Sequence, residues 1–400
     1  MTTLAPAIPS AASADAERFQ TAGVVTVTGG HAVNDTYTSF LPPLLPSLIQ
    51  SFGLSNTQAG LLSVFLQWPS VLQPFIGYLA DRTNLRYLVI LAPAITGIAM
   101  SLLGVAPSYA WLGILLLIAG LSSAAMHSVG SVIAGGLSGG KLGRGMGYWM
   151  VGGGLGYTIG PLILVTTIQT AGIQAMPWLM LGGLVTSAVL YVRLRDVTSC
   201  TPDYDASRPW RQAVRAMRPV LIPALGITMV RSFMSAAFGT YLPTFLRWEG
   251  STLWIAGAAF ALFEGAGMVG ALTAGALSDR LGRRRVITIS LLVASPLMGA
   301  FLVFSGPARI PILLALGFTA LSLMPVLMAM MQEQFPENRA LANGIFLGFS
   351  FVIQATATVI LGMLSDRFGM RSAYIFAAVI PLVGLPLVRL LPKEERRAAR

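Results

Sequence analysis

Long apolar blocks separated by short polar breaks set the pattern of this chain. The block from Tyr87 to Ala106 contains no charged residue, and about 20 helical residues suffice to cross a bilayer. Twelve such blocks predict spanning helices. The first six, α1 to α6, are expected at 21–50, 57–80, 87–106, 110–135, 145–170 and 175–194. The second six, α7 to α12, are expected at 219–247, 253–277, 286–306, 310–334, 341–364 and 372–391. One long polar connector, 195–218, interrupts the series and carries Arg195, Asp196, Asp203, Asp205, Arg208, Arg211, Arg215 and Arg218. It predicts a boundary between an N-terminal half, 21–194, and a C-terminal half, 219–391. A tail precedes the first (1–20) and a basic tail follows the second (392–400).

Composition fixes the class. Of 400 residues, 55% are hydrophobic and 10% charged, against about 25% charged in a soluble domain. The 43 glycines suit helices whose backbones meet in lipid. A single cysteine, Cys200, excludes an internal disulfide framework and a cysteine metal cluster. The net charge of +11 reads as loop charge that orients a membrane chain, not as a nucleic-acid surface. Met1 to Phe19 lacks the apolar run of a cleavable signal and reads as a short tail.

Orientation follows from the basic residues. With the N-terminus cytoplasmic, every Lys and Arg falls on the cytoplasmic side except Arg247, Arg309, Arg367 and Arg371 outside and Arg231 within a span. Both termini are therefore expected in the cytoplasm.

The two halves repeat each other. Gly77-Tyr-Leu-Ala-Asp81-Arg82 ends α2, and Gly275-Ala-Leu-Ser-Asp279-Arg280 ends α8; Leu45-Pro46-Ser47 and Leu242-Pro243-Thr244 match at almost the same offset. A duplicated six-helix unit explains both, and parallel repeats are one plan for transporters. In each motif copy the glycine admits a neighbouring backbone. The aspartate can meet a helix N-terminus or an arginine at the membrane surface, so the segment reads as a latch on the cytoplasmic side. A third copy, Gly362-Met-Leu-Ser-Asp366-Arg367, ends α11 on the opposite side. It reads as an inverted echo of α8 or as an error in the helix count near the C-terminus.

These segments resemble the signature loop of the major facilitator superfamily. Gly152, Gly156, Gly160 and Pro161 in α5 resemble the helix 5 motif of its drug and proton antiporters, with Leu164 where glycine is frequent. His31-Ala-Val-Asn34-Asp35, Met126-His127-Ser128 and Arg231-Ser232-Phe233 narrow the resemblance to the fosmidomycin-resistance branch. The resemblance implies an all-α membrane protein of twelve transmembrane helices in two pseudo-symmetric halves. It also implies alternating access and proton-coupled drug efflux from the inner membrane.

Ionisable groups inside spans are costly and usually functional or paired. His31, Asn34, Asp35 and Thr38 share one face of α1, and by the repeat they match Thr228, Arg231, Ser232 and Ser235 on α7. Two polar stripes are thus expected to face one central cavity. Asp35, His31, His127 and Glu264 are the candidates for carrying protons, since histidine titrates near neutral pH and a buried carboxylate needs a partner, Arg231 or His127. Arg231, Asn34, Thr38, Ser232 and Ser235 are the candidates for holding substrate, Arg231 suiting a phosphonate or carboxylate. Glu333 is expected at a membrane surface.

No nucleotide loop or zinc pattern points to an enzyme, and no cofactor or metal is expected. The expected partners are a small anionic or amphiphilic substrate, protons and the lipid bilayer, with the chain working as a monomer. Three alternatives stay open: proton-coupled uptake of a nutrient or organic anion, a lipid flippase, and a non-transporting membrane sensor.

Overall fold

The computed structural model describes residues 19–80, 83–197, 210–335 and 339–392. Asp81 and Arg82 of the first latch copy lie outside the described residues, as do both far tails and the middle of the linker. The described residues hold helices and no strand. Eleven helices among them are long and apolar enough to cross a membrane: α2 (Asn56–Ala80), α3 (Arg86–Val105), α4 (Tyr109–Gly136), α5 (Leu142–Ala171), α6 (Ile173–Leu194), α7 (Arg215–Gly239), α8 (Leu253–Leu281), α9 (Arg283–Val303), α10 (Gly306–Met331), α11 (Gly344–Phe368) and α12 (Met370–Val388). The twelfth, α1, falls short of that apolarity because its first segment, Thr21–Thr38, carries His31, Asn34 and Asp35. After Ser39 and Phe40 it continues as Leu41–Phe52, the break preceding Pro42 and Pro43, which lack the amide a continuous helix needs.

The protein is thus an all-α, multi-pass membrane protein of twelve spans. Its two halves share one design. Like α1, α7 breaks shortly before a proline and resumes as Leu242–Trp248, so the matched Leu-Pro segments sit at the same place in each half. The helix of α7 starts at Trp210, well inside the connector expected at 195–218. Gln212, Ala213, Ala216 and Met217 favour helix, but the arginines among them hide the turn from an apolarity pattern.

Within the N-terminal half α1 packs on α3, α4, α5 and α6. Between the halves α5 packs on α8 and α2 on α11, leaving α1 and α7 to flank the space between. Two ends can be told apart. At the end carrying residues 53–55 and 249–252, the second segment of α1 packs on the second segment of α7 and on α8, closing the molecule. At the other, basic end, carrying residues 83–85 and 282, a Cβ on Gly77 or Gly275 would meet nothing within 4 Å.

Candidate transport site

Between the halves lies a cavity of about 280 Å³. Its wall includes Thr38, Gln67, Gln73, Ser123, His127 and Tyr157 from the N-terminal half. Thr228, Arg231, Ser232 and Gln354 face them from the C-terminal half. Both polar stripes therefore reach one space, and they are built differently.

The α1 stripe is a closed network. Asp35, 3% exposed, stands between two histidines: His31 Nε2 is 3.1 Å from Oδ2 and His127 Nε2 is 3.4 Å from Oδ1. His31 stacks on Trp149, with ring centroids 3.8 Å apart, and its Nδ1 lies 3.0 Å from the Trp149 carbonyl. A carbonyl only accepts, so Nδ1 carries a hydrogen. Nε2 makes no aligned hydrogen bond; its contact with Asp35 is electrostatic. The three ligand atoms of His31, Asp35 and His127 lie within 4.8 Å of one another, close enough to share a small cation.

Asn34 holds the carboxylate from the other side. Its Nδ2 donates to Asp35 Oδ1 at 3.0 Å and reaches Ser123 Oγ at 3.3 Å. Its Oδ1 accepts from Thr96 Oγ1 at 2.9 Å. Thr96 in turn lies 3.0 Å from Ser122 Oγ, which donates to the Ala92 carbonyl. Thr38 Oγ1 is 3.2 Å from the Asp35 carbonyl.

The glycine ladder of α5 brings these groups together. A Cβ at Gly156 would strike the Ala32 carbonyl and the Thr36 amide, and one at Gly160 the Thr36 carbonyl and Ser39 Oγ. Only residues without a side chain let α5 lie this close to α1. Gly152 packs on Thr28, while Pro161 lies buried in the same helix.

The α7 stripe is open. Arg231, 7% exposed, donates from Nη1 to the Ala320 carbonyl at 2.9 Å; its Nε is buried without a partner. Arg231 forms no ion pair with Asp35 or with any other carboxylate among the described residues. Of the two partners weighed for Asp35, the structure brings His127 and leaves Arg231 apart. Ser232 spends its hydroxyl on the Thr228 carbonyl at 2.8 Å. Ser235 Oγ is buried without a partner and lies off the cavity wall, as does Glu264. Sequence reasoning passed over Trp149 and Tyr157 because single aromatics on apolar helices look like packing, and over Gln67, Gln73 and Gln354.

Of the latch residues, Asp279 pairs with Arg283 one turn on, and Arg283 also bonds Glu333 at 2.8 Å and the Gly275 carbonyl at 3.3 Å. That contact stays inside the C-terminal half. Arg280 is exposed at the end of α8.

Comparison with known proteins gives one consistent answer. The family model described as Major Facilitator Superfamily matches residues 27–320 and 255–400. The Fosmidomycin resistance protein of Escherichia coli (strain K12) is 26% identical over 404 residues, covering 98% of each chain. An uncharacterized MFS-type transporter, YfnC, of Bacillus subtilis (strain 168) is 29% identical over 382 residues, covering 92% of this chain and 91% of that one. Among solved structures, a bacterial homologue of the human lysosomal transporter Spinster, inward-facing and unoccupied, superposes with a TM-score of 0.79. It is 16% identical over 94% of this chain and 98% of its own.

Proposed function

This chain belongs to the major facilitator superfamily, and from that premise we propose that it exports a small anionic compound in exchange for protons by alternating access. The observation that carries the reading is the division between the stripes. Asp35 is held between His31 and His127 and adjoins the cavity through His127, whereas a cation without a counter-charge, Arg231, lines the wall from the other half. A buried guanidinium with a free N–H is a ready partner for a phosphonate or carboxylate. Asp35 with His31 and His127 supplies the proton site, Asn34 orients it, and Arg231 with Thr38 and Ser232 meets the substrate. Glu264 is the reserve proton site. We place the basic end in the cytoplasm and the protein in the bacterial inner membrane.

The named relative makes fosmidomycin the first compound to try. Purified protein in liposomes with an imposed pH gradient should move fosmidomycin against its concentration gradient, and collapsing the gradient should stop it. Transport indifferent to the pH gradient would overturn the proton-coupled reading.

A further inference from the structure

The third motif copy, at the end of α11, has no part in the transport site, yet it makes a three-bond polar contact between the two halves. Asp366 Oδ1 accepts from the Asn56 amide at 2.8 Å. Its Oδ2 accepts from the Thr57 amide at 2.9 Å and from Thr57 Oγ1 at 2.6 Å. These amides open α2, where the first turn of a helix leaves N–H groups unpaired and the dipole favours negative charge. An aspartate from the C-terminal half thus caps a helix of the N-terminal half.

Two further observations mark the contact as built. Tyr241, in the break of α7, donates its hydroxyl to the Asn56 carbonyl at 2.8 Å and lies 3.2 Å from the Thr358 carbonyl on α11. The helices cross there through glycine: a Cβ at Gly362 would stand 2.6 Å from Tyr241 Oη and 2.8 Å from the Asn56 carbonyl, and one at Gly60 would also strike Tyr241 Oη. The same motif glycine is open at Gly77 and Gly275.

We propose that Asp366 is a clasp that holds the cavity shut at the end away from the basic loops, and that opening that end requires its release. The Asp366 charge, the cap it forms and the glycine crossing are the contacts that α2 must leave when the halves rock. The inference rests on alternating access alone and needs neither the proton site nor the substrate.

Spin labels on Ser51→Cys and Ser251→Cys, with Cys200→Ser, report the distance across this end in the full-length protein in lipid nanodiscs. Asp366→Asn should raise the ratio of long to short distances by about three- to tenfold, the usual worth of a cap and its charge. Thr57→Val removes one bond and no charge and should raise it by about two- to threefold; it carries the test if Asp366→Asn does not fold. An unchanged distance distribution in a folded variant would overturn the clasp. A normal shift beside absent proton-driven transport would fault the proposed function and leave the clasp standing.

Discussion

The first segment of α1 and the matching stretch of α7 occupy equivalent places in the two halves, yet they solve the problem of polar groups in a membrane in opposite ways. On α1 every ionisable group has a partner: Asp35 has two histidines and an amide, and His31 has the Trp149 carbonyl and ring. On the matching stretch of α7, Arg231 has a single backbone bond and a buried Nε left over. Burying an unpaired charge costs several kcal/mol, so a site that keeps one gains from a ligand what it lacks at rest. The difference teaches that equivalent stretches of two like halves can carry a closed network around a buried carboxylate and a buried cation left open.

Breaking the closed network should have the largest effect. Asp35→Asn removes the carboxylate, and pH-gradient-driven transport in liposomes should fall to the leak rate, while equilibrium binding of fosmidomycin stays within about threefold of wild type, because the guanidinium is untouched. Next comes the open cation. Arg231→Gln removes the charge-assisted bond and should weaken binding by about 10- to 100-fold, measured by calorimetry in detergent. Retained affinity would place the anion elsewhere.

Smaller effects sharpen the contrast. Thr96→Val deprives the Asn34 carbonyl of its donor and should lower driven transport by about two- to fivefold, one hydrogen bond's worth, with binding unchanged. Ser232→Ala should change binding by less than about twofold, since its hydroxyl is already committed to the Thr228 carbonyl.

Much of the fold was legible because apolar block length and basic-loop spacing are one-dimensional signals. The spans, the duplicated unit and the facing of α1 and α7 all follow from periodicity. The site was legible in its parts and hidden in its pairings. Asp35 and His127 stand on helices far apart in the chain, and nothing local tells that their side chains meet. The breaks in α1 and α7 were signalled by Pro42, Pro43 and Pro243, although apolarity ran straight through them. Trp149 and Tyr157 gave no signal, since an aromatic on an apolar helix is usually core. The copy at Asp366 looked misplaced because its partners, Asn56 and Thr57, belong to the other half and lie at the start of a helix, where sequence shows only ordinary polar residues.

The central claim is that proton and anion are held by different stripes of one cavity. Its most direct test is to assay Asp35→Asn and Arg231→Gln together for pH-gradient-driven transport and for gradient-free exchange of labelled against unlabelled fosmidomycin. The division of labour requires Asp35→Asn to lose driven transport and keep exchange, while Arg231→Gln loses exchange at low substrate and regains it, with coupling to the gradient, as substrate is raised. Full gradient-driven transport by Asp35→Asn would contradict the claim and turn attention to Glu264.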